Sequence, residues 1–160
     1  SAMILAGGYE GFPAGSGRLD GWIEYASGTG DETSTANTFE AFTPVASDLR
    51  YGEIWANTLG NTGLTNLSVI KAAVKLREFL SDKLLVKLAY YKFSADEVAA
   101  GVSDDWGNEI DLRLKWMQNE DVTLSLILAQ LDPGSLLQAA LGAAKKDAIT
   151  KMTASVDISF

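Results

Sequence analysis

The sequence predicts an all-β fold: an antiparallel up-and-down transmembrane β-barrel of about eight strands, as a single domain over residues 1–160. Three observations predict it. Apolar and polar residues alternate with period two along several stretches of strand length. The connections between those stretches alternate between tight and long, as in a meander with short turns at one rim. Aromatic side chains fall near the ends of the apolar faces, where an interfacial girdle belongs.

The elements follow in chain order. Ser1-Ala2-Met3 reads as a remnant of expression rather than a native start. A first strand falls within 2–12. Residues 17–27 set Ile23 and Tyr25 against Arg18, Asp20 and Glu24. The connection 28–66 is rich in Gly, Thr, Ser and Asn, as an exposed loop is, and holds a short strand within 49–57. Residues 67–79 put Ile70, Ala72, Val74 and Leu76 against Lys71, Ala73, Lys75 and Arg77; residues 83–93 put Leu84, Val86, Leu88 and Tyr90 against Lys87 and Tyr91. The clearest alternation spans 108–118, with Ile110, Leu112, Leu114 and Trp116 on one face and Glu109, Asp111, Arg113 and Lys115 on the other. A helix would scatter those charges around its circumference; a strand collects them on one side. Residues 121–131 put Val122, Leu124, Leu126 and Leu128 on one face, with Ile127 interrupting the polar one. The last stretch, 149–160, opposes Met152, Ala154, Val156, Ile158 and Phe160 to Lys151, Thr153, Ser155, Asp157 and Ser159. Leu80-Ser81-Asp82-Lys83 and Gln118-Asn119-Glu120-Asp121 are tight turns, and 94–107 and 132–148 are long connections. Within the latter, Leu136, Leu137, Ala140, Leu141 and Ala144 share helical spacing; the segment 135–147 reads as a loop folding back on itself, with a short helix or a gating plug as alternatives.

Composition excludes several functions. The chain has 13 basic and 21 acidic residues, a net charge of −8, and neither His nor Cys. It therefore has no Ser-His-Asp triad, no His-ligated metal, no zinc knuckle and no disulfide framework. The acidic balance argues against a nucleic-acid partner, which calls for a basic footprint. No run of 18 apolar residues is present, which excludes a transmembrane helix but not a barrel, whose strands alternate.

Alternation alone does not say which face meets water, since a soluble barrel alternates with its apolar side inward. The aromatics Tyr25, Tyr90, Trp116 and Phe160 near the apolar-face ends favour a membrane girdle. Val156, Ile158 and Phe160 in register on a final strand resemble the C-terminal assembly signal of bacterial outer-membrane barrels.

Longer stretches resemble one family. Ile23-Glu24-Tyr25-Ala26-Ser27-Gly28, then Asn37-Thr38-Phe39-Glu40-Ala41-Phe42-Thr43-Pro44, are similar to a strand and acidic loop of the alginate-export outer-membrane barrels. Asn66-Leu67 and Leu88-Ala89-Tyr90-Tyr91-Lys92-Phe93 resemble its next hairpin, and Trp106-Gly107-Asn108-Glu109-Ile110-Asp111-Leu112 a following strand opening. Asn119-Glu120-Asp121-Val122-Thr123-Leu124-Ser125-Leu126 and Asp132-Pro133-Gly134 continue the likeness, which covers roughly residues 17–160. Family members are much longer, so the chain resembles their C-terminal third, and its loop after Pro133 is richer in Ala and Lys. The resemblance implies a Gram-negative outer-membrane location, contact with lipid and lipopolysaccharide, handling by the barrel-assembly machinery, and passage of an anionic polysaccharide such as alginate.

In this reading Arg18, Lys71, Lys75, Arg77, Lys87, Arg113, Lys115 and Lys151 face the lumen, with Asp20, Glu24, Glu109, Asp111 and Asp157. That face carries +3 and the rest of the chain −11, so the wall is mildly basic and favours anions. The same charges equally suit cross-strand pairing in a filled barrel, with Glu109, Asp111, Arg113 and Lys115 opposite Lys71, Lys75 and Lys87. Closure by the chain itself, as part of a larger barrel, or through a homo-oligomer all remain open at this point. The alternatives are a closed outer-membrane barrel with a structural or adhesive role, and a soluble barrel carrying an apolar ligand. No catalytic residue, cofactor or metal is expected. The carboxylate pairs Asp104/Asp105 and Glu109/Asp111 have glycosidase-like composition, and Asp31-Glu32, Asp96-Glu97 and Asp104-Asp105 are calcium candidates without ordered ligand spacing.

Overall fold

A computed structural model describes residues 2–30, 50–61, 63–78, 81–142 and 147–159. Phe160, Leu80, Ala144, Asp31-Glu32 and the Asn37–Pro44 stretch lie outside them. The strands are β1 (Ala2–Ala14), β2 (Gly17–Gly28), β3 (Leu67–Arg77), β4 (Leu84–Ser94), β5 (Asp105–Met117), β6 (Val122–Pro133) and β7 (Ile149–Ile158), and they pair in sequence order as one antiparallel meander.

Three expectations need correction. Among the described residues there are seven strands, and β1 does not pair with β7, so the sheet is open rather than closed. The short strand expected within 49–57 is instead a single π-helical turn, Gly52–Ala56. Its backbone donors turn to side chains of the sheet, so no neighbouring strand is needed to satisfy them. The segment after Pro133 does contain a short helix, α1 (Ser135–Leu141), with Leu137 buried against the sheet.

The rims separate as the connection lengths predict. Gly15-Ser16 and 118–121 join strands at one rim, where β3 also ends and β4 begins; β2, β4 and β6 end at the other. A bulge between Tyr9 and Phe12 bends β1, and the freed Gly11 N–H donates to Asp20 Oδ1 at 2.9 Å.

The two faces differ sharply. The outer face shows Ile23, Ile70, Leu88, Ile110, Leu128 and Met152, all exposed and on six successive strands. Tyr25 and Tyr90 sit towards its long-loop end and Trp116 near its tight-turn end. Val156 and Ile158 lie on the same face and are 60% and 55% exposed. The inner face instead receives the Gly52–Ala56 turn. That segment reaches Glu24 on β2 through Tyr51 and Lys151 on β7 through Glu53. Strands lie about 4.8 Å apart, so the sheet curls around a turn that touches both.

The core sits between this turn and the long-loop end of the inner face. Ile54 and Trp55 pack on Val69, Phe93 and Leu131, with Trp55 stacked on Phe93 at 4.6 Å and edge-on to Trp106 at 5.5 Å.

Candidate functional site

Register lays the inner-face residues out in cross-strand rows. Three buried alanines, Ala73, Ala89 and Ala129, share one row with Trp22, Asp111 and Lys151. Their small side chains leave room for main chain to lie against the sheet. The next row towards the long loops holds Glu24, Lys71, Tyr91, Glu109 and Leu131.

Two carboxylates hold the turn. Glu109 accepts the Ile54 N–H at 2.6 Å and the Trp55 N–H at 2.9 Å, one on each oxygen, and Asp111 accepts the Glu53 N–H at 3.1 Å. Gly52 makes the approach possible: its φ is +77°, and a β-carbon there would lie 2.5 Å from Glu109 Oε2. The expected pairing of Glu109 and Asp111 with Lys71, Lys75 and Lys87 is therefore not found. Tyr91 and Ala89 stand opposite the two acids on β4, and the turn's N–H groups take up Glu109 and one oxygen of Asp111.

The lysines of β3 pair in the other direction. Lys71 Nζ lies 3.0 Å from Glu24, and Asp20, which is 1% exposed, holds Lys75 at 3.0 Å and Arg77 at 2.8 Å. Tyr51 donates its hydroxyl to Glu24 at 2.6 Å. Burial, then that bond and the carboxylate's charge, push the Tyr51 hydroxyl above the ordinary tyrosine range, so it stays a donor.

Sequence reasoning missed Glu53. It lies 2.8 Å from Arg113 and 3.3 Å from Lys151, and accepts a 2.7 Å bond from Asn57. Burial alone would raise its carboxyl; the Asn57 bond and the two cations outweigh that and hold it below the ordinary range. The available signal was Gly52-Glu53-Ile54-Trp55, an apolar pair behind a glycine in an otherwise polar loop.

The other sequence candidates scatter. Arg18 approaches Glu78 at 3.9 Å at the tight-turn rim, and Lys115 and Asp157 are exposed on the inner-face side of their strands. Asp105 pairs with Lys92 rather than forming a carboxylate dyad with Asp104. The Asp96 carboxylate accepts a bond from the Ser68 hydroxyl, and the Glu97 main chain exchanges two bonds with the Asn66 side chain, its N–H donating to Oδ1 and its C=O accepting from Nδ2. Among the described residues no group of three acidic side chains is placed to hold a metal, and no helix is long and apolar enough to cross a membrane.

A cavity of about 470 Å³ opens at the long-loop end between the docked segment and α1, lined by Trp55, Leu59, Asn66, Trp106 and Leu141. No family model matches the chain, and neither a curated protein nor a solved structure is significantly similar to it.

Proposed function

We propose that this sheet is the wall of an outer-membrane β-barrel of porin or exporter type, whose inner face lines a passage for anionic solutes and whose Gly52–Ala56 turn narrows it. By resemblance the solute is an anionic polysaccharide such as alginate. The observation that carries the reading is the segregation of the faces. An apolar band with aromatics towards both ends covers the outer side, while ionised side chains and the docked turn occupy the inner side. In water so continuous an exposed apolar surface is a liability; against lipid it is the requirement. A soluble carrier would need the opposite arrangement, and Ile54 and Trp55 already fill the apolar part of the inner face.

Closure follows a parity rule. Seven strands of a meander leave β1 and β7 running in the same direction. An all-antiparallel barrel therefore takes an odd number of strands beyond these. A head-to-tail ring of identical copies would join β7 to β1 through parallel seams.

The test places a charge on the outer face. Leu88→Arg and Ile110→Arg should each cost about 2–4 kcal/mol of membrane stability if they face the bilayer midplane, read as lost insertion into lipid vesicles. A water-facing surface would tolerate either within about 0.5 kcal/mol, and unchanged insertion of both would overturn the membrane reading. Anion-selective conductance in planar bilayers is the expected behaviour of the inserted protein; cation selectivity or a sealed membrane would remove the transport role.

A further inference from the structure

The cavity at the long-loop end differs in chemistry from the inner face beside it. Charged residues make up 21% of the chain, yet none of the described residues lining this space of about 470 Å³ is charged. Leu59, Leu137 and Leu141, with the indoles of Trp55 and Trp106, supply an apolar wall. The volume falls in the range of small-molecule sites, about 300–1,000 Å³, which are mostly apolar with a few placed polar groups.

The wall is tied together by the connections that form it. The Leu59 N–H donates to the Ile54 C=O at 2.9 Å and the Asn61 N–H to the Trp55 C=O at 3.2 Å, which folds the chain after the π-helical turn into one side. The Gly134 N–H donates to the Trp106 C=O at 3.0 Å, which sets the start of α1 against the start of β5. The Asn66 amide is committed to the Glu97 main chain at 2.8 and 3.0 Å. The space is therefore formed before any ligand enters it.

One polar group in this wall is unmet. Trp55 is 3% exposed, and its buried Nε1–H has no hydrogen-bond partner among the described residues. A buried indole N–H ordinarily finds an acceptor, and leaving it unmade costs free energy. Packing holds the ring in place, stacked on Phe93 and edge-on to Trp106. A ligand that brings an acceptor would meet the donor where it stands. A carboxylate would lose its hydration with no cation in the lining to replace it, and a sugar would turn most of its hydroxyls against leucine. The chemistry that fits is an uncharged ring with a single acceptor.

We propose that this cavity is a binding site for a small uncharged aromatic compound bearing a carbonyl or hydroxyl acceptor. Trp106, Leu59 and Leu141 hold the ring, and Trp55 Nε1–H donates to the acceptor. The site goes beyond the passage reading and does not rest on it, because it lies among the loops and uses none of the inner-face charges.

The test uses the isotope-labelled chain folded in detergent micelles and follows the indole N–H resonances by NMR. The chain has four tryptophans, and the signal missing from Trp55→Phe is that of Trp55. Benzamide should move the Trp55 signal downfield with saturation and leave those of Trp22 and Trp116 in place. Sodium benzoate should move it far less at equal concentration. Trp55→Phe keeps an aromatic ring against Phe93 and loses the donor. Read on the Trp106 signal, it should bind benzamide about tenfold more weakly, the loss of one hydrogen bond. Ala140→Phe, at an exposed lining position of α1, fills the cavity. It should abolish the response while melting as wild type. All variants share the same micelle, so partitioning of the probe cancels between them. An unmoved Trp55 signal, an equal response to benzoate, or wild-type affinity in either variant would overturn the site. A response to methyl glucoside in place of benzamide would overturn the aromatic assignment.

Discussion

The two halves of the inner face are built from the same strands with the same alternation, yet they meet different fates. Towards the long loops, Glu109 and Asp111 are buried under the Gly52–Ala56 turn and bound to its backbone. Towards the tight turns, Arg113 and Lys115 on the same strand stay exposed, Arg113 reaching back to Glu53, and Lys87 has no ion pair among the described residues. The difference teaches that a charged strand face has no fixed role. A carboxylate becomes a backbone anchor when a loop supplies N–H donors, whereas the cations Arg113 and Lys151 meet the turn through Glu53 alone.

That contrast can be broken most severely at its anchor. Glu109→Ala strands two buried N–H groups and should destabilise the docked segment by about 2–5 kcal/mol. Denaturant unfolding and new proteolytic cleavage within 57–61 would register the release; an unchanged cleavage pattern would mean the turn is held by packing of Ile54 and Trp55 alone. Gly52→Ala should cost somewhat less, about 1–3 kcal/mol, since it combines a left-handed backbone with a β-carbon driven into Glu109. Its readout is the same, and a neutral result would show that the turn can shift away from the sheet.

The smallest effect is expected at Glu53→Gln, about 1 kcal/mol, because Arg113 is 46% exposed on its side chain and solvent screens the pair. Its value lies in the pH dependence. The folded carboxyl sits below the ordinary range, facing Arg113 and Lys151 with Asn57 beside it. A depressed carboxyl binds fewer protons folded than unfolded, so its contribution is complete above about pH 4.3 and fades as pH falls through the lowered value. Melting curves from pH 6 downward should therefore converge for wild type and Glu53→Gln; parallel curves would remove Glu53 from the acid response.

The strands were legible because period-two alternation is a local property. Ile110 to Trp116 against Glu109 to Lys115 admits one reading, and β3 to β7 lie where the pattern put them. The strand within 49–57 was misread because Tyr51, Ile54 and Trp55 are strand-forming residues, and nothing local says that their backbone donors will find Glu109 and Asp111 more than fifty positions away. The pairing of the acids was misjudged for a related reason. Spacing along β5 shows which face a carboxylate occupies, but Tyr91 and Ala89 decide what stands next to it on β4.

By itself, the sequence determined the strands, the meander, the short and long rims and the sorting of apolar from charged residues, because each depends on neighbours one or two positions apart. Only the tertiary structure decided which charges are anchors and which stay open. That outcome rests on register between strands and on a loop folding back across six of them, β2 to β7, and both are set by contacts that join distant parts of the chain.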